Sequence, residues 1–313
     1  MRLIALIAIA LLTASGARAG DATPLFASSD TLDITVTGPI ADIVKKAASS
    51  TDPQAATLAY AGEALAIELS ARGHARRRPE NCKFPPLRVK FTEPPAQGSI
   101  FRKQKTLKLV TDCRGQGSFQ QHTLLEYAAY RMFNEVTEAS FRVRLANVRY
   151  VDAKSGKTVA ERAGFFIEDA DDVADRVDLR EVKAGKLSIA HHEASAAARA
   201  VLFFHIIANH YSSMLAGPEG DCCHNGKLLG AEKTAAAELV FVPYDFDYSG
   251  FVDAPYAAPP DLLTIKSVRT RQYRGDCALN AEVAQTATIF RDRRQAIESA
   301  VRATPGLDAK TAK

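Results

Sequence analysis

Much that would name a function at sight is missing from these 313 residues. The apolar run Leu3 to Leu12 is too short to span a membrane and nothing after it is long and apolar enough, so no membrane span is expected. Neither sign of charge is in large excess: the formal balance is +4, which leaves no global argument for nucleic acid or an anionic membrane. There is no Gly-x-Ser-x-Gly elbow and no His-Glu-x-x-His, which removes the commonest serine-hydrolase and zinc-hydrolase signatures. A zinc site built from His191, His192, His205 and His210 is the weaker reading, because a buried, hydrogen-bonded histidine explains His205 as well. No internal repeat or low-complexity tract is present.

What is present begins with an export signal. Arg2, the apolar stretch Leu3 to Leu12 and the small-residue pair Ala17 and Ala19 read as a signal peptide over residues 1–19. Removing 19 of 313 residues leaves 294, and loss of Arg2 and Arg18 takes the charge from +4 to +2. The expected location is periplasmic or extracellular. All five cysteines (Cys82, Cys113, Cys222, Cys223 and Cys277) lie in the exported part, so disulfides are the default. Cys82 and Cys113, flanking neighbouring strands, are expected to pair, and Cys277 is expected to pair with Cys222 or Cys223. One thiol is then left over.

Local patterns give a strand-rich first half. Leu32–Val36 alternates, and Ala56–Tyr60 and Ala64–Ser70 form a hairpin about Gly62. A basic loop with Arg72, His74, Arg76, Arg77 and Arg78 leads into the strand Leu87–Phe91; it reads either as a solvated face or as a turn offered to an anion such as phosphate. Thr106–Val110 is a strand with Lys108 at its centre. Leu124, Leu125, Ala128, Met132 and Val136 make one helical stripe, at whose margin Glu126 reads as an ordinary surface glutamate. Phe141–Leu145, Val148–Val151 and Ala163–Ile167 are strand-like, and the acidic residues 168–176 read as a linker. Residues 194–214 read as a helix apolar nearly all round, and 281–303 as a final amphipathic helix.

The chemistry concentrates in "VFVPYDFDYSG", Val240 to Gly250. Asp245 and Asp247 follow a buried strand with one residue between them. They are either an Asp-rich turn or, since alternate residues of an extended segment face one way, a divalent-metal site.

Four stretches in order resemble the spore-coat protein H (CotH)-like atypical kinases: "ARGHARRRPENCKFPPLRVKF", "KTLKLV" with "LLEYAAYRMFNEV", "AGFFIED", and "NHYSSM … HNGKLL … VFVPYDFDYSG". The resemblance implies an α+β, two-lobed protein-kinase-like fold in one domain over residues 20–313. A β-rich N-lobe would span about 24–168 and a helical C-lobe about 173–305. It further implies Mg-ATP-dependent transfer to a hydroxyl of an unknown protein acceptor, with no nucleic acid as partner. Lys108 would hold phosphate, the Arg72-Gly73 turn would cover the nucleotide, and backbone up to Glu168 would meet the adenine. Asn225, Asp245 and Asp247 would hold Mg²⁺. One departure stands out: where the family has Asn-x-Asp-Ser, this chain has Asn209-His210-Tyr211-Ser212. Either Asp221 supplies the missing acid, or the chain is a kinase-like binding module with little turnover.

Overall fold

The computed structural model describes residues 20–115 and 117–313, so the signal-peptide reading of residues 1–19 lies outside the described residues. Seven strands close into a barrel in the order β1-β2-β3-β4-β5-β7-β6. They are β1 (Leu32–Gly38), β2 (Gln54–Tyr60), β3 (Glu63–Ala71), β4 (Leu87–Phe91), β5 (Thr106–Thr111), β6 (Val143–Asp152) and β7 (Thr158–Ile167). Helix α1 (Ile40–Lys46) lies between β1 and β2, and α2 (Gly117–Asn134) between β5 and β6.

This overturns the two-lobed kinase-like expectation. The sheet is not an open lobe: β1 pairs in parallel with β6 over seven residues, from Leu32 opposite Ala146 to Gly38 opposite Asp152, and this pairing seals the barrel. Every other neighbouring pair is antiparallel. Closure leaves no unpaired edge. The strands alternate as half-buried strands do, so Ile34, Val36, Leu69, Val89 and Leu109 share one inner core with Ile40 and Ile43 of α1.

Outside the barrel come α3 (Ala170–Arg176), β8 (Arg180–Val182), β9 (Ala184–Gly185), α4 (Ala194–Ile207), β10 (Asp221–Cys222), β11 (Gly226–Gly230), β12 (Val240–Pro243), α5 (Asn280–Asp292) and α6 (Arg294–Arg302). A small sheet, β12-β11-β8, and the ribbon β9–β10 share this region with the helices. A second core joins α2 to the barrel's outer face through Tyr130, Phe165, Phe203 and Phe246. Among the described residues no helix is long and apolar enough to cross a membrane.

Three local readings change. The acidic linker is the helix α3, with Asp171 and Asp172 in its first turn and Arg176 in its last, charges that suit the helix dipole. Helix α4 stops at Ile207, because Ala208 turns left-handed (φ 52°) and returns its N–H to the helix end. The final helix is two, broken at Arg293.

Cys82 and Cys113 are bonded, as expected. Cys222 and Cys223 bond to each other, and Cys277 is free and exposed, contrary to the expected pairing. Replacing Cys82 and Cys113 together by serine should cost about 3–4 kcal/mol for a bridge closing 31 residues, read as a lower urea midpoint. An unchanged midpoint would show that the bridge does not restrain the chain.

Candidate functional site

The turn after β3 points one of its arginines inward. Gly73 is left-handed (φ 84°), Arg77 Nε donates to Gly73 O at 2.7 Å, and Asn81 Nδ2 donates to Ala75 O at 2.9 Å. The Cys82–Cys113 bridge ties the far end of this loop to the end of β5. Arg76 is thereby buried, whereas Arg78 is exposed.

Three carboxylates meet its guanidinium. Nη1 lies 2.9 Å from Glu126 Oε2, Nη2 lies 2.8 Å from Asp245 Oδ1, and Nε lies 3.3 Å from Asp247 Oδ2. One oxygen from each acid falls within 4.8 Å of the others. Glu126 comes from the middle of α2 and is buried, not a surface residue, and its partner is Arg76. The signal for it was the composition around it: in "LLEYAAY" it is the single charge on a helix segment buried on nearly every side. Nothing in the Arg-Arg-Arg run distinguishes Arg76.

Asp245 and Asp247 converge, but not because the segment is extended. Asp245 is left-handed (φ 63°), a conformation that aspartate tolerates better than most residues. Its N–H donates to Tyr130 Oη at 2.8 Å, and Phe246 is buried against the rings of Tyr130 and Phe203. Such a backbone concentrates at functional sites. The strand before it is set by close approach: a Cβ on Gly226 would lie 1.9 Å from the Phe241 ring. That packing brings Tyr244 N–H onto Asn225 O at 3.0 Å, placing Asn225 across from the acidic segment.

Three acids and one guanidinium leave a formal charge of −2. Burial pushes the Glu126 carboxyl up to about 8, with Arg76 opposing and both aspartates reinforcing. Burial likewise pushes Asp247 up to about 6 despite Arg76, and Tyr256 Oη donates to it at 2.8 Å. Burial alone would favour a neutral Arg76, but Asp247, Glu126 and Asp245 together outweigh it and hold the guanidinium above its ordinary range.

These shifts fix a sign. A carboxyl raised in the folded state holds its proton after the unfolded chain has released it, so stability falls with rising pH between the two values. For Asp247 that interval ends near 6, and the buried His192 and the half-buried His224, both lowered by desolvation, act in the opposite sense below their usual value. Lys108 acts only above about 8. Between pH 6.5 and 8 Glu126 therefore dominates this group, and the protein should lose stability to urea as pH rises. Glu126→Gln should flatten that slope; an equal slope in the variant would remove Glu126 as its source.

Beside the acids stands a cationic flank. On the barrel's outer face, Lys108 Nζ sits 4.8 Å from the Tyr244 ring centre and 5.9 Å from that of Phe141. Burial lowers it to about 8, with Arg72 and Lys227 adding repulsion. Burial lowers Arg72 too, against the attraction of Asp245. Lys227 Nζ pairs with Glu181 Oε1 at 2.6 Å.

The other expected residues are less central. The Glu168 carboxylate is fully buried on Arg176 (2.8 Å) and the Arg142 N–H (2.9 Å), and its own N–H is used by Arg142 O. Tyr211 Oη donates to Ala258 O at 2.7 Å, while its ring stands 4.7 Å from that of Tyr248, next in sequence to Asp247. Asp221 is exposed on β10, its carboxylate against Gly217. The four histidines of the zinc reading are dispersed: His192 and His210 bond to the carbonyls of Met214 and Thr270, and His191 turns onto Ser188. Among the described residues the acidic trio is the one cluster with metal-holding geometry. All its donors are oxygens and its formal charge is negative, which suits a hard divalent cation in competition with the Arg76 guanidinium that already contacts all three acids.

The fold and site thus define a closed seven-stranded barrel flanked by helices, with a buried carboxylate–arginine centre on the barrel's outer side. No protein-family model matches the chain, and no curated protein matches it at a significant level.

Proposed function

We propose that the protein binds ATP with Mg²⁺ at this centre. The observation that carries the reading is the junction of an all-oxygen, net-negative trio, Glu126, Asp245 and Asp247, with a flank of Arg72, Lys108 and Lys227. Polyphosphate needs cations around it, and its metal needs hard anionic ligands. Lys108 and Arg72 would neutralise phosphate oxygens; Asp245, Asp247 and Glu126, with Asn225 nearby, would hold the metal. Mg²⁺, when bound, supplies charge neutralisation between phosphate oxygens. Transfer to a protein hydroxyl is the activity in keeping with this set and with the likeness to the spore-coat protein H-like proteins.

A second reading, a nucleotide-binding module with little turnover, is favoured by Tyr211. Its hydroxyl is engaged with Ala258 O, and burial, with the Asp261 carboxylate adding to it, raises its pKa further, so it is no stand-in for the acid that the resemblance assigns to this place. Export is also proposed, from the N-terminal signal and from the Cys82–Cys113 bridge, which suits an oxidising compartment.

Titration of purified protein with a fluorescent ATP analogue, with and without Mg²⁺, tests binding. Lys108→Ala should weaken it by about 10–100-fold in both conditions, since a charged hydrogen bond contributes about 1.5–3 kcal/mol. Unaltered affinity would take the phosphates away from β5.

A further inference from the structure

A separate cavity of about 230 Å³ opens between the C-terminal half of α4, residues 209–215 and the loop 272–276. Its floor is apolar, formed by Val201, Phe204 and Met214. Leu215 in its wall is an exposed large apolar side chain, as is Tyr273, whose ring stands edge-on to His205 at 6.0 Å. Apolar groups at the mouth of a concave surface mark binding sites more often than solitary ones do.

One polar feature gives the cavity a direction. At the rim, Arg274 donates one N–H to His210 O at 2.5 Å, and a guanidinium has five to give. The nearby carboxylate of Asp276 is already engaged, accepting from the Ala278 N–H at 2.9 Å. The rim thus carries both signs, and Arg274, with donors unused, is the group on offer to an anion.

We infer that this cavity binds a small aromatic carboxylate, its ring on Val201, Phe204 and Met214 and its anionic end toward Arg274. Size agrees: a dry apolar cavity of about 150 Å³ accepts benzene, so this one holds a ring with a substituent. The site shares no residue with the carboxylate centre and does not depend on nucleotide binding.

Phenylacetate is a suitable probe, and methyl-labelled methionine a suitable reporter, because the chain has three methionines and Met214 lines the cavity. Titration should shift the Met214 methyl signal saturably and leave that of Met132 in place. Arg274→Gln, at the exposed rim, should weaken phenylacetate by about tenfold or more. Val201→Phe should fill the floor and abolish the shift; if that variant does not fold, Arg274→Gln decides alone. No saturable shift by about 10 mM, a concentration matching only the weakest binding, would overturn the inference. So would binding indifferent to Arg274→Gln, or 2-phenylethylamine binding as tightly as phenylacetate.

Discussion

Asp245→Asn should remove the magnesium-dependent part of ATP binding and leave the metal-free part unchanged or tighter. Of the three acids Asp245 is the open one, its side chain 35% exposed against 2% for Glu126 and 5% for Asp247, so it is the ligand that an arriving ion meets first. An amide is a far poorer ligand for a hard cation than a carboxylate. Changes to residues that merely orient metal ligands cost about 10–100-fold in metal affinity, so loss of a direct ligand should cost at least as much. The fold should survive, because asparagine is nearly the same size and tolerates the left-handed backbone at this position. Without Mg²⁺ the variant has one negative charge fewer beside Arg72 and Lys108, which lessens repulsion of the free polyphosphate. Nucleotide titrations at fixed ionic strength with graded Mg²⁺ read both effects together. A variant with the wild-type Mg²⁺ dependence would place the metal elsewhere.

Arg76→Ala should destabilise the protein by about 3–5 kcal/mol at pH 8, the usual result of removing one partner from a buried ion pair. Here the loss is shared by three carboxylates, two of them nearly sealed from water. At pH 6 the cost should be smaller, because Glu126 and Asp247 can take up protons in place of the lost cation. Mg²⁺ should raise the variant's urea midpoint more than the wild type's, since an ion can then take the position of the guanidinium and stabilise by mass action. Arg76→Lys should be intermediate: it keeps the charge but loses the fork that reaches three acids at once. Wild-type stability of Arg76→Ala at pH 8 would mean that Arg76 does not hold the centre together.

Part of this was legible along the chain. Alternation located β1 to β5 within a residue or two, because each strand buries one face and its pattern is local. The pairing of Cys82 with Cys113 followed from their positions beside neighbouring strands. Asp245 and Asp247 stood out because two acids directly after a buried strand have few structural reasons to be there. By contrast, "EDADDVADR" has the acid density of a solvated linker, yet Ala170, Val173 and Ala174 at helical spacing bury a face.

By itself the sequence determined the strands, the acids after β12, the basic turn after β3 and the strand position of Lys108, since each depends on residues a few places apart. Tertiary structure alone decided that β1 closes onto β6, more than a hundred residues away, turning an expected lobe into a barrel. It alone selected Arg76 from three arginines, drew Glu126 inward to meet it, turned the Tyr211 hydroxyl onto Ala258 O and left Asp221 exposed on β10. The reason is physical: which buried charge finds which partner depends on distances set by packing between remote segments, and local periodicity carries no record of them.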